Sequence, residues 1–373
     1  MAAILLLIVG CAPIDRPTMR TGSLPYPGLF TLYADVDPSD LGHHRYRGNV
    51  MPVLFADEAS RGIVYTCRAG FLDMSHVRDS IDLTRYYYLA FADAVRDGES
   101  HVVVYGFSPC RFHVTLDLPA EWSLDAWADT SASSNHDRKQ PLPDELDDAL
   151  IDLAAQTAWI TTTWYEFLQW YGYKSAGVIS ERRSAFTYDD IIAHAVGGDV
   201  ARRALRHSRC DDTFNDAATD ELERTLEELE ALSPEQTYDA TRAVEGQWWE
   251  GGQAIRRQLD LGLEDGSIKP WLVRDFAPCP DREPEPYDVP PLIDALRPDG
   301  EPLARIEIEM RILEAGAIRA AVPDQPQRLV PHRDFPHLIA DMRADLAEQF
   351  GESFDEPYPD QSSPDRPCSD RAP

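Results

Sequence analysis

Residues Asp144–Tyr173 read DELDDALIDLAAQTAWITTTWYEFLQWYGY and make the strongest helical segment of the chain. The run closes on an aromatic-rich stretch, with Gly172 placed to end it near the C-cap. On its N-terminal side, Asp73–Asp97 carries Val77, Ile81, Thr84, Tyr88, Phe91 and Val95 at helical spacing, and Ser75 stands where a cap is needed. On its C-terminal side, Thr187–His207 opens with Thr187 and Asp190 in a capping-box pattern. Shorter helices are expected over Ala217–Leu232, Pro234–Trp249 and Phe335–Phe350. Strand candidates are Gly62–Cys67, His101–Phe107, Phe112–Leu118 and Leu303–Leu313. The pattern predicts an α+β fold, a predominantly helical single domain with a few short β-strands. Helices 73–97, 144–173 and 187–207 are expected to pack together.

Glu166 is the least ordinary residue of the central helix. Its neighbours one turn away are Thr162, Thr163, Gln169 and Trp170, with Trp159 and Tyr173 two turns away. A carboxylate on such a stripe has few routes to water. It must carry a raised pKa, meet a metal, or pair with an arginine such as Arg182 or Arg183.

A second candidate group lies in TCRAGFLDMSHVRDSID, residues 66–82. His76, Asp79 and Asp82 recur three apart and fan across one helix face, a spacing that suits a divalent metal or a His–Asp acid/base pair. The competing reading makes Asp79 and Asp82 dipole-favoured carboxylates near the helix start, with His76 at the surface. Cys67, nine residues before His76, is a candidate nucleophile or a structural thiol. In FTYDDIIAHAVGGD, residues 186–199, Asp190 and His194 stand at i and i+4, a weaker pair that lacks the two histidines of a zincin helix. Trp248 and Trp249 read as core or pocket lining. No serine-hydrolase elbow, P-loop or dinucleotide fingerprint occurs.

The chain carries 65 acidic and 35 basic residues, a net charge of −30. Such a surface repels phosphate backbones and anionic headgroups, which argues against nucleic acid as a partner. Met1–Cys11, MAAILLLIVGC, has the form of a bacterial lipoprotein signal: an apolar run, a small residue, then a cysteine. The run is far short of the about 20 residues needed to cross a bilayer. Lipid on Cys11 would therefore supply the membrane attachment that charge does not, since two or more acyl chains anchor stably. Cys67, Cys110, Cys210, Cys279 and Cys368 remain, an odd number without zinc-ligand spacing.

Residues 1–10 thus read as a signal peptide, 11–60 as an irregular lead and 61–350 as one globular domain. A proline-rich crossing spans 274–302, and 351–373 reads as a disordered acidic tail. The ordered motifs IVYTCRAGFLDMSHVRD, WYEFLQWYGY, SAFTYDDI, EGQWWEGG and KPWLV resemble a family of bacterial lipoproteins catalogued as domain of unknown function 4056. The resemblance runs from about Gly62 to Phe350. It implies a lipid-anchored or secreted envelope protein with one extended domain, and it transfers no catalytic residue. It also implies an Asn-like position where His194 stands, which takes weight from the Asp190/His194 pair.

The expected site lies between helices 73–97 and 144–173. Glu166 is its buried acid/base or metal ligand, His76 the partner, Asp79 the orienting carboxylate, and Cys67 a nucleophile or structural thiol. Candidate ligands for a divalent metal are His76, Asp79, Asp82 and Glu166. Function is then a metal-dependent or acid/base hydrolase of the cell envelope, placed at the outer membrane facing the periplasm. The alternative is a non-catalytic scaffold or partner-binding lipoprotein, in which the His/Asp/Glu cluster is a structural polar network.

Overall fold

In the computed structural model, residues 62–122, 142–174, 182, 184–208, 213–250, 253–263, 265–290 and 301–358 are described. The expected signal peptide, Cys11 and the lead to residue 60 lie outside them. The first elements form a hairpin, β1 (Ile63–Thr66) antiparallel to β2 (Gly70–Asp73), which runs directly into α1 (Met74–Arg96). The cap of α1 is Asp73 and not Ser75. Asp73 Oδ1 accepts from the Ser75 backbone N–H at 2.7 Å and from its hydroxyl at 2.6 Å. A carboxylate here takes up an otherwise orphaned N–H and meets the positive end of the helix dipole.

Two strands follow, β3 (His101–Tyr105) and β4 (Arg111–Leu116), and then α2 (Asp144–Trp170). Asp144, Glu145 and Asp147 fill the first turn of α2. Its threonines are poor helix formers, yet Thr157, Thr161 and Thr162 bond back to the carbonyls of Leu153, Thr157 and Trp159, which satisfies their hydroxyls inside the core. The helix ends in a Schellman arrangement: Gly172 N–H donates to Gln169 O, and Tyr173 N–H to Leu168 O. Gly172 takes φ 91°, so the expected stop is there.

Then come α3 (Asp190–His207), α4 (Phe214–Glu228) and α5 (Pro234–Ala243). The α5 start is a full capping box between Ser233 and Gln236 with Pro234 at the first turn. Short two-residue strands β5 (Trp249–Glu250), β6 (Gln253–Ala254), β7 (Ser267–Ile268) and β8 (Tyr287–Asp288) pair as two ribbons. Beyond them lie β9 (Ala304–Glu309), α6 (Ala315–Ala320), β10 (Arg328–Leu329) and α7 (Pro331–Phe350).

The fold is α+β: α1, α2 and α3 pack on one another, and beside them lies an antiparallel sheet of order β10-β9-β4-β3. Phe112 and Val114 of β4 pair with Ile308 and Ile306 of β9, and all four are buried against the helices. A second, aromatic cluster gathers Tyr65, Phe71, Tyr188, Trp248, Trp249 and Trp271.

Three expectations change in detail. The helix expected from Pro234 ends at Ala243, and Trp248 and Trp249 lie beyond it in the aromatic core. Residues 274–290 run largely exposed but are tied down at two points, since Cys279 is bonded to Cys67 and Tyr287 pairs with Ile268. Of the expected tail, 351–358 folds back: Phe354 is buried, and Trp248 Nε1–H donates to Pro357 O at 2.9 Å. Among the described residues, no helix is long and apolar enough to cross a membrane.

Candidate functional site

The approach of α1 to α3 is set by Gly197. A Cβ there would stand 2.1 Å from the Val77 carbonyl oxygen and 2.8 Å from Ser80 Cβ. Only a glycine lets the two backbones come this close. His76, one residue before Val77, and His194, one turn before Gly197, are thereby pressed together with ring centroids 4.4 Å apart. α2 closes the third side. Its Glu166 is fully buried, with Oε2 accepting from the Phe186 backbone N–H at 2.8 Å and Oε1 3.9 Å from His194 Nε2.

The result is a buried centre. Ligand atoms of His76, Glu166 and His194 lie within 4.8 Å of one another, and so do those of Asp73, His76 and Asp190. His76 Nε2 is 3.1 Å from Asp190 Oδ1. The other oxygen of Asp190 accepts from Thr187, from its hydroxyl at 2.6 Å and its backbone N–H at 3.1 Å. The capping box expected at Thr187 is not formed, since Asp189 is the N-cap of α3 without a side-chain cap bond, and Thr187 instead holds the carboxylate that faces His76. Ser80 Oγ lies 3.2 Å from His194 Nδ1, and His194 Nε2 has no hydrogen-bond partner among the described residues.

The electrostatics follow from burial. Desolvation opposes a charge on His76, but Asp190, Asp73 and Glu166 outweigh it and hold its pKa well above the ordinary value. His194 is driven the other way, by burial first and then by the cationic His76 beside it. Burial, followed by Asp190 and Asp73, pushes the Asp189 carboxyl well up. The surroundings thus favour a proton on His76 and disfavour one on His194.

Several expected site residues are therefore placed, and others are not. His76 and Glu166 meet, and the pair expected to be weak, Asp190 and His194, completes the centre. Asp79 and Asp82 belong to neither ligand group. The face of α1 turned to α3 carries His76, Val77 and Ser80. At about 100° per residue Asp79 swings to its flank and Asp82 to the far side. Cys67 is not a nucleophile here, because its sulfur is bonded to Cys279. Cys110 is a free buried thiol. Arg182 pairs with Asp345 and covers Trp170, so it is not the partner of Glu166; Arg183 lies outside the described residues. Asp73, Ser80 and Asp189 were not anticipated as site residues. The signal that would have found Ser80 is the glycine pair at 197–198, which marks a close helix crossing.

A separate cavity of about 1280 Å³ opens between the disulfide, residues 258–284 and α7. None of the centre's residues lines it.

The sequence model of the family described as Protein of unknown function (DUF4056) matches residues 8–106 and 130–259, more than half of the chain. The chain belongs to this family. No curated protein and no solved structure matches it. The first DUF4056 segment contains Asp73, His76 and Ser80, and the second contains Glu166, Asp190 and His194. The whole centre thus lies within the DUF4056 match, whereas β9, α7 and Cys279 fall beyond it.

Proposed function

We propose that this DUF4056 chain is a lipid-anchored protein of the bacterial envelope whose α1–α3 centre binds a divalent transition metal and serves a hydrolytic reaction. The observation that carries the proposal is the convergence of two imidazoles and one carboxylate, His76, His194 and Glu166, within 4.8 Å in a buried place. Two nitrogens and an oxygen suit zinc-like ions. The 3.9 Å from His194 Nε2 to Glu166 Oε1 is too long for a hydrogen bond. It is close to the roughly 3.4 Å between donors sharing a tetrahedral ion at about 2.1 Å.

A divalent ion held there supplies Lewis acidity and an acidified water. The chain's own residues do the rest. His76, His194 and Glu166 are the ligands, while Asp190 orients His76 and Ser80 orients His194, the outer support that ligating histidines require. Without an ion, Glu166 and His76 would serve as an acid/base pair. The envelope address draws support from the Cys67–Cys279 bond, since such bonds persist in oxidising compartments. Attachment through Cys11 and an outer-membrane position belong to the same proposal.

One observation favours the scaffold reading instead: the side chains of the centre are all buried, and Asp73 and Asp190 are occupied by Ser75 and Thr187. Elemental analysis of the purified full chain decides. The metal reading expects stoichiometric metal, lost in Glu166→Ala and in His194→Ala. Metal-free protein after supplementation with zinc, manganese or iron, still folded by circular dichroism, overturns it and leaves the acid/base pair and the scaffold.

A further inference from the structure

α2 and α3 run antiparallel, with their register pinned at two places: Glu166 faces His194, and Asp152 faces Arg206 at 2.7 Å. On α2, the residues that share this face with Asp152 and Glu166 at helical spacing are Trp159 and Thr163. On α3, the corresponding residues between His194 and Arg206 are Gly198 and Arg202, the latter 3.7 Å from Asp152. The middle of this interface therefore sets Trp159 and Thr163 opposite Gly198.

Gly197 and Gly198 behave differently there. A Cβ at Gly197 collides with α1, whereas one at Gly198, though buried, would meet nothing within 4 Å among the described residues. The described residues thus leave space for a methyl group inside the packed interface. The residues that the register sets opposite Gly198 on α2 carry polar atoms: Trp159 Nε1–H and Thr163 Oγ1 are buried without a hydrogen-bond partner among the described residues. One turn farther along the same face, His194 Nε2 is in the same condition.

Three partnerless polar atoms on one interface cost too much to be left so, because buried N–H and O–H groups are almost always paired with protein or water. An apolar gap stays dry, but a gap lined by donors takes water. We propose that the gap beside Gly198 is a water site between α2 and α3, contiguous with the metal centre. The indole N–H is a donor only, so the occupant presents an oxygen acceptor to Trp159. Thr163 then takes or gives the next hydrogen bond, on the side nearer Glu166 and His194. Water is the co-substrate that hydrolysis needs, so the site deepens the hydrolytic reading and, as its supply route, rests on it. Water binding itself needs no metal.

The test uses the full chain, metal-free, with ¹⁵N-indole tryptophan and the Trp159 signal assigned through Trp159→Phe. The expected result is a cross-peak between the Trp159 indole proton and a long-lived water. That cross-peak should vanish in Gly198→Ala, where the methyl group occupies the gap, with the other indole signals unmoved. Thr163→Val, which keeps shape and removes the hydroxyl, should weaken or abolish it, and it substitutes for Gly198→Ala if that variant does not fold. No water cross-peak in the wild type, or one unchanged in the variants, overturns the proposal. A metal-free result in elemental analysis with the cross-peak present would end the metal reading and leave the water site standing.

Discussion

Two groups in this molecule join a pair of imidazoles to a carboxylate, and they are built on opposite terms. In the helical centre His76, His194 and Glu166 are buried, and the charge on His76 is held by carboxylates of its own surroundings. On the sheet, His101, His113 and Glu309 form a chain of contacts: His113 Nδ1 to His101 Nε2 at 3.3 Å, and His113 Nε2 to Glu309 Oε2 at 3.0 Å. There Arg311 donates to Glu309 at 2.9 Å, Arg111 stands 3.9 Å away, and His101 is exposed. The sheet group is compensated by arginine and water, so its members carry little strain. The helical group lies out of water, so its charges rest on the protein groups packed around them.

The largest difference between them should therefore come from truncation. Glu166→Ala strips the Phe186 N–H of its acceptor and leaves His76 with one counter-charge fewer. Breaking a buried charged group costs about 3 kcal/mol or more, a loss to be read by urea denaturation of metal-free protein. A cost no larger than that of Glu309→Ala would erase the distinction between the two groups. Gly197→Ala tests whether the centre depends on the α1–α3 approach. With a Cβ 2.1 Å from Val77 O, overpacking should destabilise by about 1–3 kcal/mol, net of the helix propensity gained. Two-dimensional NMR should show the His76 and His194 ring signals shifting, while those of His101 and His113 stay in place.

The same contrast explains what could be read in the sequence. The three long helices were legible because periodicity and caps are local: α2 begins at the expected Asp144, and its Gly172 stop is the one the pattern demanded. Glu166 was legible as well, since a carboxylate among tryptophans and threonines has no cheap way to be solvated. Asp79 and Asp82 fall outside both ligand groups, and spacing on one helix does not say which side faces a neighbour. Only the Gly197 contact settles that α1 turns Ser80, and not Asp79, toward His194. The disulfide was hidden for a related reason, because Cys67 and Cys279 are 212 residues apart and nothing local couples them. His113 and Glu309 are likewise joined by sheet register across β4 and β9, which no short-range pattern encodes.

A smaller effect should separate the outer support of the helical centre from its core. Thr187→Val removes the 2.6 Å hydrogen bond that fixes Asp190 and leaves the backbone N–H bond in place. A bond to a charged acceptor contributes about 1.5–3 kcal/mol, and the surviving N–H bond should keep the cost at the low end. If metal binds, its affinity should fall by roughly 10-fold or more in competition with a chelator, because the orienting carboxylate is loosened. Unchanged affinity together with reduced stability would make Asp190 a helix cap alone.

The smallest effect belongs to the sheet group. The hydrogen bond from His113, then that from Arg311, and the charges of Arg311 and Arg111 pull the Glu309 carboxyl down to about 2 from an ordinary 4.5, against a small opposing effect of burial. A carboxylate whose pKa is depressed on folding stabilises the fold fully above its unfolded pKa. That contribution is lost as pH falls from about 4.5 through about 2. About a quarter of the side chain stays in water, 26% by surface, so screening keeps the gain at or below about 1 kcal/mol. Denaturation midpoints of wild type and Glu309→Gln should thus differ slightly at pH 6 and converge toward pH 2. A difference that stays constant from pH 6 to pH 2 would mean that Glu309 titrates as an unpaired surface acid and that the groups beside it do not hold its charge.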